Sequence, residues 1–214
     1  MVKRIFDIVF ALLGLLLLSP AILIIAIGIR LSSPGPVFYR GVRVGRDGRL
    51  FRILKFRTMV ADADRLGGPS AGDDDPRITR FGLFLRRYKL DEVPQTFQVL
   101  TGEMSFVGPR PEVPLEVDLY TPEERGLLSV RPGITDWASI RFRDEGEVLR
   151  GSVDAHAAYR KLIRPEKMRL GLEYVRRHSF WIDLKILLVT AWVLAGGSRK
   201  AVAELRVTRE DLRP

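Results

Sequence analysis

The chain has 214 residues, enough for one domain or one domain with an appendage, and 46% of them are hydrophobic, enough to bury a core. It has no cysteine and only His156 and His178, which excludes disulfides, thiolate metal sites and a cysteine nucleophile, and argues against a histidine-built metal centre or a serine-type triad. The net charge of +9 implies an anionic partner: nucleic acid, an anionic membrane surface or phosphorylated substrates.

After Lys3, Arg4 and Asp7, an uncharged apolar run extends from Ile8 to Ile29, about the length that crosses a bilayer as a helix. It is too long for a signal peptide and no small-residue cleavage site follows it. Ser19 and Pro20 interrupt it at mid-run. Pro20 withholds a hydrogen bond from the Leu16 carbonyl and is expected to kink the helix. Lys3 and Arg4 precede the run, and Arg30, Arg40, Arg43, Arg46 and Arg49 follow it. Positive charge marks the cytoplasmic side, so two basic ends favour a helix that dips into the membrane and returns over one that spans it.

Ser32-Ser33-Pro34-Gly35-Pro36 ends that segment. Val37 to Thr58 reads as a β-hairpin turned at Asp47-Gly48, strongly basic and suited to solvent or lipid headgroups. Ala61 to Asp75 is a polar loop long enough for a lid; its run Asp73-Asp74-Asp75 could cap the next helix or, less commonly, hold a metal. Pro76 is expected in the first turn of a helix carrying Ile78, Phe81, Leu85 and Tyr88 on one face.

Leu90-Asp91-Glu92-Val93-Pro94-Gln95 sets two adjacent carboxylates behind the cations Arg80, Arg86, Arg87 and Lys89. Asp91 reads as a helix N-cap, with Pro94 tolerated in the first turn. A short amphipathic helix then runs to Gly102. Pro109 and Pro111 hold Arg110 in an extended backbone, which suits a guanidinium to bidentate phosphate binding. Pro114 to Leu128 is expected to be helical with a second piece opening at Pro122 after the cap Thr121, and Arg131 to Trp137 to be a turn and a short strand. Glu145 to Arg164 reads as polar helix and Glu166 to Ala195 as one long helix or two. With Trp181 and Trp192, the apolar end of the latter fits an interfacial or a core helix. No internal repeat is present. The charged tail after Gly196-Gly197 is expected to pack loosely.

Seven stretches, in this order and spacing, resemble the bacterial sugar transferase family of monotopic polyprenol-phosphate phosphoglycosyltransferases: Lys3 to Asp7, Leu18-Ser19-Pro20, Ser33 to Tyr39, Lys55 to Met59, Leu90 to Gln95, Gly102 to Pro111 and Arg131 to Thr135. The likeness covers nearly the whole chain. It implies an α+β, mainly helical architecture: a re-entrant membrane helix (1–32) broken at Ser19 and Pro20, then a catalytic domain (33–195) with the basic β-hairpin and interfacial amphipathic helices, then a charged tail (196–214). It places the protein at the cytoplasmic face of the bacterial inner membrane, as a minimal unit without the extra spans of longer members. It implies that Asp91 is the nucleophile and Glu92 its partner, both working with Mg²⁺. The substrates implied are a nucleotide diphosphate sugar, such as a UDP-sugar, and polyprenol phosphate, with inner-membrane lipids as surroundings. Lys55, Arg57, Arg86, Arg110 and Arg131 are the candidate substrate-binding cations. A homodimer is compatible with this reading, and nucleic acid is not an expected partner.

After the Arg-Pro-Gly-Ile-Thr motif many members continue Gly-Trp-Ala-Gln-Val-Asn-Gly-Arg, where this chain reads Asp136 to Glu145 differently, so the identity of the sugar stays open. Two other readings compete. A membrane-anchored nucleic-acid or lipid-binding module would use the net charge but leave Asp91-Glu92 unexplained. A catalytically idle scaffold would recruit other glycan enzymes.

Overall fold

A computed structural model describes residues 2–197. Helix α1 (Val2–Ser32) runs through Pro20, and Ser19 Oγ donates to Leu16 O at 2.9 Å, the carbonyl left without its N–H partner by the proline. Both ends of α1 are fastened to the rest of the protein. Near its start, Arg4 donates to Val99 O and Leu100 O at 2.6 and 2.8 Å, and Asp7 accepts from Ser105 Oγ and Phe106 N, both at 3.2 Å. Lys3 pairs with Asp183. Near its end, Ile25 and Ile29 pack with Phe56 and Leu85. Between these anchors the helix shows its apolar side chains: Leu16 is 72% and Leu17 76% exposed.

Strands β1 (Phe38–Val44) and β2 (Leu50–Phe56) pair antiparallel from Phe38↔Phe56 to Val44↔Leu50. Asp47 (φ 57) and Gly48 (φ 75) make the turn with the positive φ expected of an Asp-Gly pair. The Gln98 side-chain amide covers the open edge of β2 as a neighbouring strand would, accepting from Leu54 N at 2.7 Å and donating to Arg52 O at 3.0 Å.

The loop that follows holds a short helix, α2 (Ala63–Leu66), before α3 (Arg80–Arg87). Pro76 does not open α3, contrary to the sequence expectation. Thr79 caps it, its hydroxyl accepting from Gly82 N at 2.9 Å, while the residues around Pro76 are drawn into a turn by Arg77. Arg77 donates to Asp75 Oδ2 at 2.7 Å and to Ala63 O at 3.0 Å. The acidic run fastens this loop: Asp75 holds Arg77, and Asp74 accepts from Gly151 N at 2.9 Å.

Helix α4 (Gln95–Thr101) ends, as its sequence suggests, at Gly102 in the left-handed region (φ 90). A strand absent from the sequence reading follows. β3 (Ser105–Val107) pairs in parallel with β4 (Gly133–Thr135), across a crossover holding α5 (Pro114–Val117) and a 3₁₀ turn at Glu124–Ser129. Thr121 and Glu124 form a reciprocal capping box before that turn, at 3.2 and 2.9 Å. Thus 114–128 is two short pieces around Thr121.

The remainder is helical: α6 (Trp137–Arg141), α7 (Glu145–Val148), α8 (Ala155–Leu162), α9 (Arg164–Arg177) and α10 (Phe180–Leu194). Ile186, Val189 and Val193 bury one face of α10 against Val107, Ile140 and Tyr174, and Trp181, Leu188 and Trp192 stay exposed on other faces. The tail expected at 196–214 lies, beyond Gly197, outside the described residues.

Candidate active site

Asp91 sits in a 3₁₀ turn, Leu90–Glu92, that opens from Lys89 in the left-handed region (φ 57). It is not the N-cap of α4, as local rules suggest; Pro94 holds that position and no side chain caps it. The turn tucks Asp91 inward to 7% exposure. Two other elements bring cations to the pair. The inward face of β2 carries Lys55, whose Nζ donates to Glu92 Oε1 at 2.9 Å and stands 3.8 Å from Asp91 Oδ2. The loop after β3 carries Arg110, which grips Glu92 with both terminal nitrogens, one at 3.1 Å from Oε2 and the other closer to Oε1. That loop is set by close backbone contact between Gly108 and Gly133. Gly108 N donates to Thr135 O at 3.1 Å and Gly133 N to Pro109 O at 3.0 Å, and a Cβ on Gly133 would stand 2.1 Å from Gly108 N. Only glycine fits there.

The two carboxylates are driven apart electrically. Burial pushes the Asp91 carboxyl above its ordinary range, with Lys55 pulling against it and the Glu92 charge adding to it. Burial also opposes ionisation of Glu92, but Arg110 and Lys55 outweigh it and hold that carboxyl well below the usual range. Lys55 and Lys89 are lowered by burial, with Glu92 pulling them back. The result is one firmly ionised, fully engaged carboxylate beside one of raised basicity, the kind of split that assigns different jobs to two acids.

Both face a cavity of about 1020 Å³. Its cationic wall includes Arg43, Lys55, Arg80, Arg86, Lys89 and Arg110, and other parts carry Asp73, Glu116, Glu145 and Glu147. Of the cations named from sequence, Lys55, Arg86 and Arg110 line the cavity, whereas Arg57 and Arg131 stand outside its lining. Arg57 donates to Ser33 O at 2.8 Å and to Pro34 O, fastening the exit of α1. Arg131 Nε donates to Gly102 O at 2.9 Å. Each guanidinium is spent on backbone carbonyls, so neither is brought to the site. Ser19 and Pro20 lie within α1, away from the cavity lining.

Sequence reasoning missed Ser70, Glu116 and His156, which also line the cavity. Ser70 Oγ is 3.1 Å from His156 Nδ1, and His156 Nε2 is 3.2 Å from Glu116 Oε1. These three residues come from separate segments, so no local motif could have joined them. Lys89 carried a signal, its place in the basic run before Asp91.

The family model described as Bacterial sugar transferase matches residues 1–197. UDP-glucose:undecaprenyl-phosphate glucose-1-phosphate transferase of Escherichia coli (strain K12) is 42% identical over 196 residues, covering 90% of this chain and 40% of that protein. The protein of that name from Caulobacter vibrioides is 39% identical over 191 residues, covering 88% of this chain and 67% of its own length. UDP-N-acetylgalactosamine-undecaprenyl-phosphate N-acetylgalactosaminephosphotransferase of Aeromonas hydrophila is 37% identical over 199 residues, covering 92% of this chain and 44% of that protein. This chain thus spans about two fifths of the Escherichia coli and Aeromonas relatives and two thirds of the Caulobacter one. With a family match over nearly its whole length, the chain belongs to the bacterial sugar transferase family.

Proposed function

We propose that this protein transfers a sugar phosphate from a UDP-sugar to polyprenol phosphate at a membrane surface, through a phosphosugar ester on Asp91. The observation that carries the proposal is the electrical split between Asp91 and Glu92 inside a cation-walled cavity. An Asp91 oxygen attacks the sugar-bearing phosphorus. The bond from that phosphorus to the bridging oxygen breaks, and UMP leaves with the oxygen and its electron pair. An oxygen of the polyprenol phosphate then attacks the same phosphorus, the bond to Asp91 breaks, and the carboxylate is regenerated. Neither step needs a proton from the protein, which suits a site whose groups are ion-paired.

The residues divide the work. Raised basicity makes Asp91 the better nucleophile. Glu92 holds Arg110 and Lys55 in fixed positions, so both cations are aimed before the diphosphate arrives. Arg86, on the same wall, adds charge to offset two anions meeting. Mg²⁺ at such a site takes one or two carboxylates and completes its shell with substrate phosphates and water. Asp91, whose oxygens accept no hydrogen bond from Arg110 or Lys55, would take that role and hold the ion. Glu92 fits it less well, because both its oxygens already accept from Arg110 or Lys55. The described residues contain no group of three or more histidine or acidic side chains that could hold a metal, so substrate phosphates would supply the other ligands. When bound, the ion would screen the diphosphate charge.

The placement of α1 supports a monotopic, re-entrant reading. A 31-residue helix is about 46 Å long at 1.5 Å per residue, longer than the roughly 30 Å hydrocarbon core. A spanning helix would leave one end across the bilayer from the domain. Here Arg4 and Asp7 at one end, and Ile25 and Ile29 at the other, are held by the same domain, and the apolar middle between them is bare. Exposed Trp181 and Trp192 on α10 add interfacial anchors. The test is UMP release from a UDP-sugar panel with polyprenol phosphate present. UMP together with a lipid-linked sugar supports the reading; neither product from any donor refutes it.

A further inference from the structure

Of the described cations that line the cavity, Lys89 alone sits in the left-handed backbone region (φ 57, ψ 22). The two other described non-glycine residues with positive φ are Asp47 and Asp62, and aspartate tolerates that region because its short polar side chain can hydrogen-bond locally. Lysine has no such compensation, so its backbone there is strained. The turn that tucks Asp91 inward opens at this position, and glycine would adopt the same φ without steric cost. The backbone therefore does not explain the side chain.

No contact within the protein explains it either. The charge of Lys89 meets Glu92, Asp91 and Glu145 only through space, without a hydrogen bond or ion pair among the described residues. Lys55 and Arg110, by contrast, are both tied to Glu92. Lys89 also stands one residue before the stretch Leu90 to Gln95 that carries the family likeness, so that motif does not account for it.

A lysine ammonium has donors only and binds phosphate as a point charge. The nucleotide-sugar brings two phosphates. The sugar-bearing one has to touch Asp91, and Lys55 Nζ already stands 3.8 Å from Asp91 Oδ2. The other leaves as the phosphate of UMP. In-line displacement puts the leaving oxygen on the far side of the phosphorus from Asp91. In the second step Asp91 is the group displaced, so the lipid phosphate has to enter from that same far side. One subsite thus holds the UMP phosphate first and the lipid phosphate next. We infer that Lys89 is the cation of this shared subsite, binding the phosphate of UMP and then that of polyprenol phosphate. The inference rests on the transferase reading above.

Calorimetric titration with UMP and with uridine compares the parent protein, Lys89→Gly, Lys89→Asn and Lys89→Arg, and formation of the lipid-linked sugar gives KM for polyprenol phosphate. Lys89→Gly and Lys89→Asn are expected to weaken UMP binding about tenfold or more, the worth of one hydrogen bond to a charged group, and to raise KM for polyprenol phosphate by a similar factor. Uridine carries no phosphate, and its affinity should not change. Both variants should melt at or above the parent temperature, because glycine and asparagine suit a positive φ. Lys89→Arg keeps the charge and is expected to recover most of the UMP affinity. Unchanged UMP affinity in both uncharged variants overturns the inference. So does a KM for polyprenol phosphate that stays fixed while UMP weakens, and so does an equal loss of UMP and uridine with a lower melting temperature, the mark of a site that has merely loosened. A parent that releases no UMP from any UDP-sugar overturns the transferase reading; a parent that releases it while the uncharged variants bind UMP as tightly overturns this assignment alone.

Discussion

Asp91 and Glu92 are neighbours in sequence whose surroundings push them in opposite directions. Asp91 is short of compensating contacts, and its carboxyl is raised by burial; Glu92 is saturated by Arg110 and Lys55 and stays ionised. Asp91→Asn is therefore expected to lower turnover by roughly 10⁴-fold or more, as loss of a nucleophile does, while leaving the melting temperature equal or higher, because a buried charge is removed. Calorimetry and UMP release measure the two effects. The pH dependence follows from the same shift. Asp91 attacks only when ionised, so kcat is expected to fall as pH falls through its raised folded pKa, and the acid limb should lie above the ordinary aspartate value of about 3.9. Stability has two opposing parts. Glu92, with a depressed folded pKa, contributes stability above its unfolded value that is lost as pH falls through the folded one. Asp91 contributes the reverse, costing stability as pH rises from the ordinary value through its raised one. Arg110→Ala would leave Glu92 buried with half its partners gone and is expected to cost about 3–5 kcal/mol in urea unfolding. The carboxylate pair and its basic escort could be read from the sequence. The reason for their split could not, because it depends on Lys55 and Arg110 arriving from two separate elements and closing on Glu92.

Among the elements, α1 and its fasteners yield the sharpest contrast. Arg57 looked like a substrate clamp and instead ties the exit of α1 to the sheet. Arg57→Ala is expected to destabilise the fold by about 1.5–3 kcal/mol, the range for hydrogen bonds to a charged group. KM for the UDP-sugar should stay within about twofold in protein that remains folded; a large rise in KM would return Arg57 to the site. Sequence reasoning succeeds where the signal is local: Asp47-Gly48 turns the hairpin and Gly102 ends α4. It finds the short strand β4 after Arg131 but misses β3, three residues long, and the parallel pairing of the two across a long crossover. No periodicity fits in three residues, and the pairing depends on Gly108 and Gly133 meeting. It fails likewise for Arg57 and Arg131, since a long flexible side chain can reach many partners and the sequence does not say which is close.

For the molecule as a whole, the proposal is that both ends of α1 lie on the side of the membrane that holds the domain. The chain has no cysteine, so Val2→Cys at the start of the helix and Arg40→Cys beyond its end, both exposed positions, report topology cleanly. Both are expected to react with a membrane-impermeant maleimide from the same side of sealed vesicles; labelling from opposite sides would show a spanning helix. The central chemical claim is that Asp91 carries the sugar phosphate between donor and lipid. Intact-protein mass spectrometry after mixing with a UDP-sugar in the absence of polyprenol phosphate tests it most directly. The account predicts a mass increase of one sugar phosphate, absent in Asp91→Asn and discharged on adding the lipid. An unchanged mass under conditions where the lipid-linked product still forms would contradict it.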